Sequence, residues 1–204
     1  MNISVVDRSD KAIISSVAEV HVETFEGFFL TFMGKGFLGL MYRSYCEHQS
    51  SELMVARADD GSVLGFLAWS SDMSGLYKFM IKKHLISFAW YSLGAFLRKP
   101  AVFMRLVRAF LKPSEAKRDE KYVELSSIGV SKAAKGQGIG TALISELKER
   151  VDFSAYEYIN LETDAVNNDA AKGFYVKNGF VPVREFETHE GRKMLEYRFY
   201  GEKK

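Results

Sequence analysis

A single cysteine, Cys46, is all the thiol this chain carries. No intramolecular disulfide can form, and a structural zinc cluster is excluded. Cys46 lies in an apolar-periodic stretch and reads as a small buried residue rather than a catalytic thiol. The first residues, "MNISVVDRSD", lack a basic segment followed by an apolar run, so no signal peptide is read there. These absences together favour a reducing, cytoplasmic setting. Long apolar runs are missing too: residues 85–97 are almost wholly apolar, but about 13 residues cannot cross a bilayer that needs roughly 20. Internal repeats and low-complexity tails are also absent.

Acidic residues are absent from one long stretch. Between 73 and 113 there is no Asp or Glu, against eight cations: Lys78, Lys82, Lys83, Arg98, Lys99, Arg105, Arg108 and Lys112. For the whole chain to reach +2, the remainder must carry −6, so the charge is polarised and the total hides it. A net +2 makes no case for nucleic acid, and no reader motif accompanies the basic stretch. Composition is that of a soluble globular protein, and 204 residues suffice for one domain with a large insertion. The organisation expected is a single domain over 1–204 with 73–113 as a basic helical insertion within it.

Patterning gives the element order. Residues 2–7 read as a strand and 9–25 as a helix, with Ser9 or Asp10 as cap and Ile13, Val17 and Val20 on one face. A second helix is expected over 35–48. Between them "FEGFFLTFMG" (25–34) is too aromatic and glycine-punctuated for a routine linker. Residues 52–70 read as two strands joined at Asp60-Gly61. The basic stretch reads as two or three helices broken near Lys99-Pro100. A strand at 121–130 then runs into glycines, followed by a helix over 138–151 with Ile139, Leu143, Leu147 and Val151 on its apolar face. A strand (156–164), a helix (168–178) stopped by Gly179, and a hairpin around residues 189–191 close the chain.

The stretch "AAKGQGIGTALISELKER" (133–150) sets three glycines within five positions at the start of a helix, although each costs a helix roughly 1 kcal/mol relative to alanine. Backbone N–H groups at a helix N-terminus form an anion site, and glycines allow close approach and positive φ. A tight strand-to-helix turn is the alternative. No Gly-Lys-Ser/Thr follows, which excludes a nucleotide triphosphatase loop. The dinucleotide fingerprint fails as well, because Gly136-x-Gly138-x-Gly140 lacks its last two-residue gap.

The loop resembles the acyl-CoA loop of the GNAT acetyltransferase superfamily, Gln/Arg-x-x-Gly-x-Gly/Ala, through Lys135-Gly136-Gln137-Gly138-Ile139-Gly140 and the following Thr141. Asn168, Ala171, Tyr175, Gly179 and Phe180 match a second family element, Asn-x-x-Ala-x-x-x-Tyr-x-x-x-Gly-Phe. Two motifs in order are far more specific than either alone. The match is firm over 121–200 and extends to 2–70 in element order only. Lys135 departs from the usual Gln or Arg, although lysine still meets phosphate as a point charge. The basic insertion departs too, since most of the family joins those strands by a short loop.

The resemblance implies an α/β (α+β) fold with a mixed, mostly antiparallel central sheet flanked by helices. It implies acetyl-CoA as cofactor and N-acetyl transfer by direct attack of an amine in a ternary complex. The strand ending at Val130 should splay from its neighbour, so that the backbone of Ile128, Gly129 and Val130 pairs with the pantetheine arm. The N–H groups of Gln137 through Thr141 should take the pyrophosphate. Tyr175 matches the usual general acid near the sulfur, with core packing as the alternative. Asn168 would cap its helix and could bond the cofactor. Glu124, beside the cofactor strand, is the general base expected, because a partly buried carboxylate can have a raised pKa. A solvated strand residue is its alternative; Glu162, Asp164, Glu26 or a water chain could replace it.

In this superfamily the segment between the first two helices lines the acceptor pocket, which here singles out Phe25, Phe28, Phe29 and Phe32, Phe28 and Phe29 above all. Aromatics suit a sugar face or an apolar amine, while helix packing explains them equally. The basic insertion would favour an anionic acceptor, so an amino-sugar or nucleotide-sugar is one class of small-molecule amine expected. A membrane-surface or partner-binding protein built on the same scaffold is the rival, with peripheral membrane contact through 73–113. Monomer and homodimer both remain open, and no metal is expected.

Overall fold

The structure, a computed structural model, describes residues 1–25, 29–98, 100, 104, 120–188 and 191–202. Seven strands form one sheet in the order β1-β2-β3-β4-β5-β7-β6, with β1 Asn2–Val5, β2 Ser51–Arg57, β3 Val63–Ser70, β4 Tyr122–Val130, β5 Tyr158–Asp164, β6 Val181–Glu187 and β7 Lys193–Phe199. Every neighbouring pair is antiparallel except β4–β5. This is the mixed, mostly antiparallel sheet that the motifs imply.

Local chemistry sets the turns. Gly61 takes a φ of +86°, and Asp60 accepts bonds from the Ser62 amide and hydroxyl, which closes the β2–β3 hairpin where Asp-Gly predicts it. Helices cover both faces of the sheet, so β2 and β3 are buried nearly throughout rather than in alternation. Leu53, Val55, Phe66 and Ala68 face α1 (Lys11–Thr24) and α3 (Lys35–Glu47). Met54, Ala56, Leu67, Val123 and Leu125 face α5 (Ile139–Arg150), whose Leu143 and Leu147 are fully buried. A four-residue helix, α2 (Phe29–Phe32), interrupts the aromatic linker between α1 and α3.

The basic stretch opens as one helix, α4 (Met73–Arg98); the break expected near Lys99-Pro100 falls at the edge of the described residues, since most of 99–119, with Lys99, Arg105, Arg108 and Lys112, lies outside them. Leu76, Met80, His84 and Phe88 recur every fourth residue and form the seam toward the body, with Phe88 edge-on to Phe37 at 4.9 Å. Leu85, Trp90 and Phe96 lie off that seam and are exposed, Trp90 by 73 %. A single helix can seat only one stripe against a body. The charge on that seam is met by a carboxylate from outside the helix. Glu47, at the end of α3 with its side chain buried, meets Lys83 at 3.0 Å, His84 at 2.9 Å and Arg43 at 2.8 Å. Burial alone would raise its pKa, but the bonds from His84, Lys83 and Arg43 hold it down to about 2.

No helix among the described residues is long and apolar enough to cross a membrane.

Candidate active site

The site begins with a strand pair that comes apart. β4 and β5 pair only from Tyr122↔Tyr158 to Glu124↔Asn160. Beyond that point β4 stays with β3 as far as Val130↔Gly65, and β5 stays with β7 as far as Asp164↔Met194. A bulge at Ser126, skipped in the register between Ala68↔Ser127 and Trp69↔Leu125, bends β4 away. The Ser131 amide donates to the Leu64 carbonyl. In an antiparallel ladder this fixes the alternation, so Ile128 and Val130 turn their backbone groups from β3 toward the opening. The Val130 carbonyl there accepts from the Thr24 hydroxyl at 3.2 Å. Gly129 faces the ladder, where an added Cβ would stand 2.7 Å from the Phe66 ring.

The three glycines do different work. Gly136 and Gly138 adopt φ of +83° and +79°, and a Cβ at either would meet nothing within 4 Å. They turn the chain and leave open space in front of α5. Gly140 instead admits the Phe174 ring, which would lie 3.0 Å from its Cβ. No side chain caps α5, so the first N–H groups of this 12-residue helix are left for a ligand or water. Gln137 is partly committed, its amide donating to the Ala134 carbonyl at 3.3 Å and its side chain to Ala133. Lys135 is exposed beside the loop, Ile139 is buried and Thr141 is exposed on the first turn.

The second motif forms α6 (Asp169–Lys177). Tyr175, one turn after Ala171, is half-buried among Phe174, Phe180 and Tyr197, and its hydroxyl makes no hydrogen bond among the described residues. Burial, with Tyr197 beside it, pushes its pKa up to about 12, so it holds its proton. Asn168 stands at the N-cap, but its side chain does not cap. Its amide donates to Thr163 Oγ1 at 2.7 Å and the Asp164 carbonyl at 3.3 Å, tying α6 to the end of β5.

A cavity of about 310 Å³ fills the opening. Ile128 and Tyr175 line one side; Phe25, Leu30, Met41, and Tyr77 and Met80 of α4 line the other. Glu162 and Asp164 reach its wall, with Asp164 paired to Arg192 at 2.7 Å. Glu124 does not line it. Its carboxylate accepts from Asn160 Nδ2 at 2.8 Å, at the end where the two strands still pair. Of the aromatic linker, Phe25 reaches the cavity and Phe32 packs beside Met33 and Phe37. Glu26, Phe28 and the side chain of Phe29 lie outside the described residues. Cys46 donates to the Tyr42 carbonyl at 3.4 Å, and burial first, then the nearby carboxylates of Asp7, Glu47 and Asp10, push its thiol up to about 12, so it is no nucleophile.

Sequence patterning missed a polar chain on the cavity wall. His21 Nδ1 lies 2.6 Å from the Tyr42 hydroxyl, which lies 3.3 Å from Ser127 Oγ. The signal was available: Ile14, Val17, Ala18 and His21 recur at helical spacing and are all buried. A histidine at the fourth position of a core face is the anomaly to notice.

A family model described as the acetyltransferase (GNAT) family matches residues 21–180. No curated protein matches the sequence. Among solved structures, the histone acetyltransferase HPA2 and related acetyltransferase of Corynebacterium glutamicum is 19 % identical, with a TM-score of 0.61 over 99 % of this chain and 98 % of that one. An aminoglycoside 6'-acetyltransferase type Ii is 14 % identical, with a TM-score of 0.62 over 98 % and 97 %. A protein assigned as a streptothricin acetyltransferase from Bacillus anthracis, in complex with acetyl coenzyme A, is 17 % identical, with a TM-score of 0.51 over 79 % and 68 %. At these identities the likeness is one of fold.

Proposed function

Because the chain belongs to the GNAT acetyltransferase family, whose enzymes use acetyl-CoA, we propose that it transfers acetyl directly to the amine of a small-molecule acceptor within a ternary complex. The observation that carries this is a single cavity with Ile128 and Tyr175 on one wall and α1, α3 and α4 on the other. Donor and acceptor then meet in one volume without a covalent intermediate on the protein.

The residues present fit acetyl-CoA: the unpaired edge of β4 suits an extended amide chain, and the open Gly136 and Gly138 with the uncapped start of α5 suit a pyrophosphate. When bound, acetyl-CoA supplies the acetyl thioester. Ile128 and Val130 hold the arm by their backbone, Gly138 through Thr141 hold phosphate by theirs, and Lys135 adds a point charge. Ala171 and Asn168 shape the same edge. Tyr175, protonated with a pKa near 12, donates a hydrogen bond to the departing sulfur, whose own thiol pKa is about 8.5, more than it surrenders a proton. Glu162, an exposed carboxylate on the cavity wall, takes the amine proton to solvent; Glu124, held by Asn160, serves as base only through an intervening water.

An amino-sugar nucleotide gains little from this wall. Its charged members among the described residues are Glu162, Asp164 and Arg192, and α4 contributes Tyr77 and Met80 rather than its lysines. Initial-rate measurement of thiol release from acetyl-CoA, with a panel of primary amines, tests the reading. Intersecting double-reciprocal lines are expected; parallel lines would replace direct attack by an acetyl-enzyme.

A second reading has its own observation. Ile86, Trp90 and Leu97 of α4 are 85 %, 73 % and 71 % exposed, with Lys78 and Lys82 also exposed on that helix. An apolar stripe flanked by cations suits peripheral contact with anionic lipid. Salt-sensitive pelleting with anionic vesicles is the expected result under that reading.

A further inference from the structure

His21 is 4 % exposed, lines the cavity, and leaves its Nε2 without a hydrogen-bond partner among the described residues. A buried polar nitrogen left without a partner is destabilising, so a ligand that pairs it recovers that loss. The rest of the ring is fixed. Nδ1 is bonded to Tyr42, Tyr42 reaches Ser127 on the cofactor strand, and the ring lies 4.7 Å from Phe25 and 6.2 Å from Phe66. The chain of three groups thus links the far wall of the cavity to β4, next to Ile128.

We propose that His21 marks the acceptor-amine subsite, its Nε2 accepting an N–H of a primary amine whose apolar or aromatic body lies against Phe25, Leu30, Met41 and Tyr77. This rests on the direct-transfer reading above. In the required tautomer Nδ1–H donates to the Tyr42 oxygen, the Tyr42 hydroxyl donates to Ser127 Oγ, and the Nε2 lone pair is left for the ligand. Burial holds the imidazole down to about 4, so it is neutral at physiological pH and does not repel an ammonium. The accepted N–H leaves the amine's own lone pair for the acetyl carbon once its extra proton has gone to Glu162. Phe25, Leu30 and Met41 offer no polar partner to a sugar's hydroxyls and Tyr77 offers a single phenol, so most hydroxyls held against this wall would be buried unpaired and weaken binding. The subsite therefore selects arylalkylamines and alkylamines over amino-sugars.

The test uses phenethylamine and glucosamine as probes. With ¹⁵N-labelled histidine, phenethylamine is expected to shift the His21 Nε2 resonance, and glucosamine at equal concentration is not. In turnover, His21→Phe is expected to raise the phenethylamine KM about tenfold, the cost of one hydrogen bond to the amine, with CoA affinity by calorimetry unchanged. His21→Gln, which can return an oxygen to the Nε2 position, is expected to recover part of that loss, and it covers the case in which the Phe variant fails to fold. An unmoved Nε2 resonance, an unchanged KM in folded variants, or a preference for glucosamine overturns the proposal. Loss of CoA binding by the wild-type protein would instead defeat the direct-transfer reading, while the resonance measurement still decides on His21.

Discussion

The two walls of the cavity are built on different principles. The β4 wall works through backbone: an unpaired strand edge on the cavity and, beyond it, two glycines at positive φ before the uncapped start of α5. The α1–α3–α4 wall works through side chains drawn from distant positions, with His21, Tyr42 and Tyr77 meeting only in the folded chain. Backbone recognition demands glycine at fixed spacing and so writes a motif; side-chain recognition demands only that a few residues converge. One wall can be shared by a whole family, whereas the other is free to differ with the acceptor.

The largest effect should come from breaking the backbone wall. Gly138→Asp strains a φ of +79° and puts a carboxylate in the open space before α5. CoA affinity by calorimetry should fall at least about 10²-fold, roughly 3 kcal/mol. Gly138→Ala separates strain from charge and should lose much less. Affinity unchanged in a folded Gly138→Asp protein would move the cofactor elsewhere. Next comes Tyr175→Phe, which keeps the ring among Phe174, Phe180 and Tyr197 and removes only the hydroxyl. Turnover should drop about 10²-fold with CoA affinity intact. Full turnover would leave Tyr175 as packing alone.

The side-chain wall is sharpened by stability and pH. Glu47→Ala removes the carboxylate that joins Arg43 of α3 to Lys83 and His84 of α4, and should cost about 2–3 kcal/mol by denaturant unfolding. The sign of its pH dependence follows from a pKa held down to about 2. Stability from Glu47 is complete above the unfolded value of 4.5 and is lost as pH falls toward about 2. His21 acts in a higher window. Its neighbours are the Tyr42 hydroxyl, whose own pKa burial raises, and the rings of Phe25 and Phe66. With a folded pKa near 4 against 6.5 unfolded, the unfolded chain binds the extra proton first, so stability falls as pH drops from about 6.5 to 4. Glu47→Gln should reduce the lower slope, to which Asp7, Asp60 and Asp152 also contribute, and His21→Gln should reduce the upper only. A variant that moves both slopes would mean that the two titrations are coupled.

What could be read in the sequence follows the same division. The sheet class, the hairpin at Asp60-Gly61 and the helix after Gly138 were legible because period and turn chemistry are local. The match of Lys135 through Thr141 and of Asn168 through Phe180 carried the proposed cofactor edge. Side-chain detail was not legible. Asn168 reads as a cap, yet Thr163 and Asp164 offer it better partners across the turn. Glu124 reads as a base beside the cofactor, yet pairing with Asn160 keeps it where β4 and β5 have not opened. His21 reads as one polar residue in an amphipathic helix, because nothing local announces that Tyr42 will stand 2.6 Å away.

The smallest effect expected is the most discriminating for the acceptor wall. Eight cations without a carboxylate suggest an anionic acceptor when read as sequence. In the fold, Lys83 is spent on Glu47, while Lys78 and Lys82 are exposed and do not line the cavity. Charges facing water act on the cavity only through screened solvent, over about 8 Å at physiological salt. Reversing Lys78 and Lys82 to Glu should therefore change the amine KM less than about twofold, at low salt as at high, with CoA affinity untouched. A KM that rises on reversal, and rises most at low ionic strength, would return the basic helix to the acceptor and favour an anionic amine. If kinetics hold and pelleting with anionic vesicles is lost instead, the lysines belong to a lipid surface. If neither changes, they are solvated charge, and specificity rests on the aromatic wall beneath them.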